Sequence, residues 1–339
     1  FFTVNYEKEI SKTMNAYAQV VAARQETFGR YAPPAAFINP YPAGLARARI
    51  PAQADGTPER VVTISVPTQL RKRFIEIGPR ASYDTDWTGN VVLGFNGVVM
   101  DDYTWDLSMQ WHIADYLTND CCYLQKPEYT EAATAFAPGG AGTFKGQSDL
   151  FHPDVVAYYT ASPSVTSHSQ FRSLEYTFGG PLKIVPNTDF IAGIQDAEYT
   201  YENIYDKQSE VGNVGGSSGN SSGNARDYTA MFFETKTSLM DGAGELSVAV
   251  RNDDYSDFGT NTSYTVKGLW DVMEGLTLRA SVGTGFRAPG LGDLAANTTF
   301  SADSHTDYVK CNAQGIARAD CPSEQVNTYI SANPNLGPE

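Results

Sequence analysis

The side chains best placed by type and spacing to do chemistry lie in one acidic run, Asn252-Asp253-Asp254-Tyr255-Ser256-Asp257-Phe258-Gly259. Closely spaced carboxylates in a turn supply oxygen ligands for calcium. The run lacks the ligand spacing of an EF-hand loop and its bidentate glutamate, so a solvated loop is the simpler reading. Gly283-Thr284-Gly285-Phe286-Arg287-Ala288 satisfies G-x-G-x-x-A, a spacing that cradles a dinucleotide pyrophosphate when a helix follows at once. Here Pro289, Gly290 and Gly292 follow instead. His112, His152, His168 and His305 are too scattered for a metal cluster, and Cys-x-x-Cys, Walker A, G-x-S-x-G and H-E-x-x-H patterns are absent. With no nucleophile–base set in view, the residues point to binding and away from catalysis, and neither a cofactor nor a metal is expected.

The cysteines fit an oxidising compartment. Cys311 and Cys321 bracket a short polar segment, which favours a loop-closing disulfide between them. Cys121 and Cys122 are neighbours, and a bond between neighbours is strained, which leaves them free or paired elsewhere. The remaining candidates are cations. Over 276–287, Leu276, Leu278, Ala280, Val282 and Phe286 fall on one side of an extended chain, and Thr277, Arg279, Ser281, Gly283 and Arg287 fall on the other. Arg251 and Lys267 likewise oppose apolar stripes.

The elements that carry these side chains read as long strands. At 87–99, Trp87, Val91, Leu93, Phe95 and Val99 oppose Thr88, Asn90 and Asn96; at 103–115, Tyr103, Trp105, Leu107, Met109, Trp111 and Ile113 oppose Thr104, Asp106, Ser108, Gln110 and His112. Period-two alternation of this kind marks a strand with one apolar and one polar face. These runs exceed the globular mean of about 5–6 residues and match the roughly 9–11 tilted residues that cross a bilayer. Further pairs fall at 164–178 with 190–205, 227–239 with 246–252, and 264–270 with 276–286. A short descending strand at 60–66 and an ascending one at 70–77 bring the expectation to about twelve, roughly half of the 22 strands of plugged outer-membrane transporters. Short turns alternate with long polar connections at 31–60, 118–163, 207–226 and beyond 288, the one-sided loop pattern of a membrane barrel. The low-complexity stretch 211–224 reads as a mobile loop tip.

Composition bounds the partners. The formal net charge of −15, from 24 basic and 39 acidic residues, argues against nucleic acid. The 20 Tyr and 17 Phe suit interfacial girdles, and equally a carbohydrate-binding β protein. No stretch approaches the roughly 18 apolar residues of a membrane helix, which leaves a barrel untouched. Cations facing lipid near the midplane cost about 2–4 kcal/mol, so the face carrying Arg251, Lys267, Arg279 and Arg287 is expected to line a lumen.

Two segments resemble a known family. "RASVGTGFRAPGLGDL", with Phe286, Arg287, Ala288 and Pro289, and "NPNLGPE", with Asn333, Pro334, Leu336, Pro338 and Glu339, are similar to the paired signatures of TonB-dependent outer-membrane receptors. Asn39-Pro40, Ile77-Gly78-Pro79-Arg80, "TWDLSMQW" at 104–111 and "RNDDYSDFG" agree with that resemblance. It implies an all-β fold, a partial antiparallel transmembrane β-barrel, with 1–339 as one barrel segment lacking both the plug and the last strands. It further implies an outer-membrane receptor of a Gram-negative bacterium, in contact with outer-membrane lipid. Such a receptor takes up a scarce or bulky ligand (a ferric siderophore, haem, cobalamin or a glycan) with energy from TonB, ExbB and ExbD acting through the plug. There the lumen cations would pair with plug carboxylates or with neighbouring barrel acids. A secreted β-rich carbohydrate-binding or adhesin domain is the alternative.

Overall fold

The computed structural model describes residues 1–41, 47–50, 58, 60–63, 68–100, 102–215, 219–295, 299–333 and 335–337, with only the backbone course given at 36–41, 47–50, 60–63, 68–71, 295, 299–304 and 324–330. Ten strands form one antiparallel sheet in chain order: β1 (Phe2–Ser11), β2 (Met14–Arg30), β3 (Ala81–Val99), β4 (Tyr103–Cys121), β5 (Ser164–Pro181), β6 (Thr188–Tyr205), β7 (Ser222–Leu239), β8 (Gly244–Tyr255), β9 (Gly259–Met273) and β10 (Leu276–Gly283). The sheet is an open, barrel-type wall. Its neighbours at one end are joined by short turns such as Glu274-Gly275, where Gly275 takes a φ of 83°. At the other end run the long connections 31–80, 122–163 and 206–221. The three-residue link Ser256-Asp257-Phe258 departs from that one-sidedness.

The expected strands at 60–66 and 70–77 are corrected. Strands do occur there, but Arg60–Thr63 pairs with Arg47–Ile50 and Thr68–Arg73 pairs with Ala35–Tyr41, in two-stranded sheets apart from the wall. Segments of 4 and 6 residues are too short to cross a bilayer. That difference takes the wall from about twelve strands to ten.

Cross-strand register fixes which side chains share a face. One row reads Phe95–Leu107–Tyr176–Ile194–Met231 across β3 to β7. The opposite face carries Asn96–Asp106–Thr177–Gly193–Phe232–Arg251–Ser263 across β3 to β9. The apolar face is the more exposed of the two. Met109, Trp111 and Leu174 are 51%, 50% and 52% exposed, whereas Asp106, Ser108, Gln110 and His112 are half-buried. Side chains on a convex surface splay apart and those on a concave one crowd together, so the polar face is the inner one. It is knit by hydrogen bonds: the Tyr17 hydroxyl donates to Asp106 at 2.9 Å and Gln110 donates to Asn90 at 2.8 Å. The Tyr17 ring lies across Gly94, where a Cβ would stand 2.4 Å from it.

The packed apolar core lies elsewhere, in the connection read as polar at 118–163. Phe74, Leu124, Tyr129, Ala132, Ala133, Leu150, Val155, Val156 and Tyr159 form it. Helix α1 (Lys126–Ala135) carries Pro127 in its first turn and buries Tyr129, Ala132 and Ala133, one stripe at helical spacing. Helix α2 (Pro153–Tyr158) is capped by His152, whose Nδ1 accepts from the Asp154 N–H at 3.3 Å, and it buries Val155 and Val156. The strand Tyr123–Gln125 pairs with Thr160–Ala161 on one side and Val214–Gly215 on the other. Phe74 arrives from the 31–80 connection and meets Tyr129 edge-on at 4.9 Å. Three connections are thereby fastened into one cap. The expected loop tip at 211–224 is corrected accordingly: Val214 is buried in the cap, Ser222–Asn224 opens β7, and 216–218 lie outside the described residues.

Candidate inner-wall site

The strand alternation of β8, β9 and β10 sets three of the four expected cations on the inner face. Arg251 stands opposite Phe232 and Ser263, Lys267 opposite Ser247 and Ser281, and Arg279 opposite Leu269. Arg251 donates from Nε to Asp253 at 2.9 Å and from Nη2 to Gln195 at 3.1 Å, with its guanidinium 5.9 Å from the Phe232 ring. Lys267 and Arg279, with Glu245, Ser247 and Ser281, line a recess of about 330 Å³. Neither is in an ion pair among the described residues. Arg287 lies past the end of β10, exposed on a segment outside any strand, so the alternation that groups the other three does not reach it.

Charge is unevenly spread over this face. From β1 to β6 the inward positions carry Glu7, Glu9, Asp84, Asp86, Asp106, Asp120, Glu175 and Asp189, and neither lysine nor arginine. From β7 to β10 they carry Arg226, Lys236, Arg251, Lys267 and Arg279 beside the acids Glu234, Glu245, Asp253 and Asp271. Three of those are already neutralised: Lys236 by Glu245 at 2.9 Å, Arg251 by Asp253, and Arg226 by Asp257 at 2.6 Å. A second recess, of about 550 Å³, opens at the short-turn end of the acidic half and includes Glu9, Asn15, Asn96, Asp106 and Thr177 in its lining.

Arg226 escaped the sequence reading, where it only marked the end of a loop. Its side chain is 8% exposed. It pairs with Asp257, donates to the Pro289 carbonyl at 2.9 Å, and stands 5.6 Å from the Tyr255 ring and 5.2 Å from that of Phe258. Phe286 joins the same rings at 5.7 and 5.8 Å. The signal was present in the sequence as parity: Arg226 precedes the inward Tyr228 by two residues. Through Arg226 the Phe286–Pro289 motif is held against β7 and the 256–258 link. The second motif reaches the segment just past the first, since the Asn333 N–H donates to the Asp293 carbonyl at 2.9 Å. Leu336 is exposed, and Pro334, Pro338 and Glu339 lie outside the described residues.

The acidic run does not converge on a point. Asp253 turns to Arg251, Asp257 to Arg226, and Asp254 accepts from the Thr260 hydroxyl at 2.9 Å. Among the described residues no three His, Cys, Asp or Glu side chains are grouped to hold a metal. His112 is inward, His168 sits on the outer face against Asp115, and His152 caps α2. Cys311 and Cys321 are joined by a disulfide, with Cα atoms 5.9 Å apart. What the inner wall offers chemically is a polar lining of carboxylates, hydroxyls, carboxamides and a few cations.

The sequence model of the TonB-dependent receptor-like β-barrel family matches residues 43–339. Among solved structures, the RagAB peptide transporter is similar at 13% identity and a TM-score of 0.40, over 98% of this chain and 36% of that one. The ferric enterobactin receptor of Pseudomonas aeruginosa is similar at 12% identity and a TM-score of 0.39, over 99% and 46%. The siderophore receptor PirA of the same organism is similar at 13% and 0.34, over 99% and 49%. The chain thus spans less than half the length of each.

Proposed function

The chain belongs to the TonB-dependent receptor-like β-barrel family, a family of Gram-negative outer-membrane transporters and not of enzymes, and we propose that residues 1–339 serve as one segment of the barrel wall of such a receptor. The observation that carries this reading is the polarity of the sheet, with large apolar side chains outward and exposed while hydroxyls, carboxamides and charges line the inner face. In water that arrangement would forfeit the hydrophobic effect on every strand. Against lipid it costs nothing, and the paired ladder satisfies the backbone, as hydrocarbon demands.

The work of the wall is uptake of a ligand too scarce or bulky for a pore, such as a ferric siderophore, haem, cobalamin or a glycan. Ligand meets the cap and the upper inner wall, and a plug domain fills the lumen. TonB, energised with ExbB and ExbD, displaces that plug to open a path. Lys267 and Arg279 are the wall cations available to plug carboxylates, whereas Arg251 is committed to Asp253 and Gln195. No bond is made or broken in the cargo, which fits a lining without a nucleophile–base pair.

A pair of substitutions on adjacent residues tests the reading. In the full-length receptor Leu107→Arg puts a cation on the apolar face at a cost of about 2–4 kcal/mol near the midplane. Ser108→Arg puts the same cation on the inner face. Heat-modifiable, outer-membrane-inserted receptor is expected to fall sharply for the first and to stay near the parent level for the second. Equal tolerance at both positions would falsify the barrel reading.

A further inference from the structure

Once Cys311 and Cys321 are joined, the chain holds two other cysteines, Cys121 and Cys122, both free thiols and both half-buried. They lie beyond the apolar band, where the wall gives way to the cap. Cys121 is the last residue of β4 and still pairs with Ala81. Cys122 leaves the ladder with a φ of 72°, a left-handed conformation that non-glycine residues seldom adopt. Tyr123 then opens the short strand that enters the cap, with the Arg80 guanidinium 5.3 Å from its ring.

In a regular strand neighbouring side chains point to opposite faces. The left-handed residue removes that alternation, and the two thiols interact. Burial pushes the Cys122 thiol up to about 11, and the Cys121 thiol adds to the rise. A vicinal dithiol therefore stands at the single covalent path from β4 into the cap.

We propose that Cys121 and Cys122 are a reversible redox site, oxidised to a vicinal disulfide that stiffens the junction between wall and cap. The proposal rests on the reading of the chain as an exported outer-membrane protein, because thiols persist in the cytosol and are oxidised beyond it. The oxidant is a protein or small-molecule disulfide. The Cys121 thiolate attacks one of its sulfurs, forming a mixed disulfide and expelling the first thiol. The Cys122 thiolate then attacks Cys121 Sγ, expelling the second. Two protons leave the cysteines, two electrons pass to the oxidant, and its disulfide is released as two thiol groups. Adjacent Cα atoms are about 3.8 Å apart, short of the roughly 4.4–6.8 Å usual for disulfides, so the ring is strained and readily reduced. That separates a switch at 121–122 from the staple at 311–321.

The test is made on the full-length receptor, with membranes fractionated first, free thiols alkylated in place, and the protein digested without reduction for mass spectrometry. The peptide spanning Cys121 and Cys122 is expected two hydrogens lighter than the dithiol and unalkylated. Mild dithiothreitol should then expose both thiols to alkylation while the Cys311 and Cys321 peptides stay linked. In Cys121→Ser, Cys122 should alkylate without reduction. Amide exchange at residues 123–125 should be slower in the oxidised form. Both thiols alkylating even after exposure to a large excess of oxidised glutathione, or equal exchange in the two forms, would overturn the proposal. Recovery of the receptor outside the outer-membrane fraction would count instead against the functional reading, and the oxidant arm would still decide the thiol pair.

Discussion

The wall and the cap use the same apolar residue types in opposite ways. On the wall, Leu107, Met109, Trp111, Leu174 and Val282 stand outward and exposed. In the cap, Phe74, Leu124, Tyr129, Val155 and Tyr159 are sealed from solvent. The cap follows the ordinary rule that apolar surface leaves water and collects in a close-packed interior. The wall inverts it, and an inverted sheet is stable only where its outer solvent is hydrocarbon. Side-chain polarity is therefore informative about the solvent on each face, and on the proposed reading one chain meets two solvents. The boundary falls along the strands themselves. On β4 the outward positions run Trp105, Leu107, Met109, Trp111 and Ile113, then turn to Asp115, which faces His168. Arg172, level with Trp111, approaches Glu198, and Arg24, level with Asp115, pairs with Glu26 on the same outer face.

Substitutions separate the two regimes. The largest effect is expected in the cap, where Phe74→Ala should cost about 3–5 kcal/mol through lost burial and the cavity left behind. Limited proteolysis of intact cells should then cut within 122–161 while barrel assembly, read by heat modifiability, is unchanged; loss of assembly instead would mean that cap and wall fold as one unit. Next is the tie between the β7–β10 wall and the motif segment. Arg226→Ala leaves Asp257 partly buried without its partner and should cost about 3 kcal/mol, with faster hydrogen exchange confined to 256–258 and 284–290. Unchanged exchange there would show the pair to be idle.

The smallest effect concerns Asp206, which caps the turn Lys207–Glu210. Burial works to raise its pKa, but hydrogen bonds from the Ser209 hydroxyl and from the Ser209, Ser164 and Gln208 N–H groups outweigh it and hold the carboxyl below its ordinary range. Its contribution is therefore complete above about pH 4, the unfolded value, and is lost as pH falls through the lower folded one. Asp206→Ala should loosen the 206–221 connection by about 1 kcal/mol. Asp206→Asn should remove the acid dependence of its protease sensitivity, and persistence of that dependence would assign it to another group.

Much of the wall was legible because a period of two survives in any solvent. The alternation at 87–99 and 103–115 located β3 and β4, and the short turns located their partners. Residues 60–66 and 70–77 show what periodicity lacks, since it marks a strand without saying what that strand pairs with. The cap was illegible for a different reason. Tyr129, Ala132 and Ala133 are spaced as a helix stripe, but α1 is 10 residues long and set among glycines, threonines and prolines, so its apolar content averaged away. Its core is also assembled from three connections distant in sequence. Arg226 was missed because parity gives only its face, whereas its burial against Asp257 and two rings is a tertiary fact. The acidic run, read as a solvated loop, is corrected: residues 252–255 are the end of β8, only 256–258 form a loop, and Asp253 is buried against Arg251. Its carboxylates fail to converge because neighbours in an extended chain point to opposite faces, as Asp253 and Asp254 do.

The wall's outward face can be read without adding a probe, because Trp87, Trp105, Trp111 and Trp270 all occupy that face. Their fluorescence in the full-length receptor, reconstituted into bilayers whose acyl chains carry bromine, tests the lipid contact directly. Strong quenching by the brominated lipid is predicted, with weak quenching by aqueous iodide and a smaller lipid-quenched fraction in Trp111→Phe. Emission quenched by iodide and indifferent to the bromine, with Trp111→Phe leaving the lipid-quenched fraction unchanged, would contradict the claim that this face meets hydrocarbon.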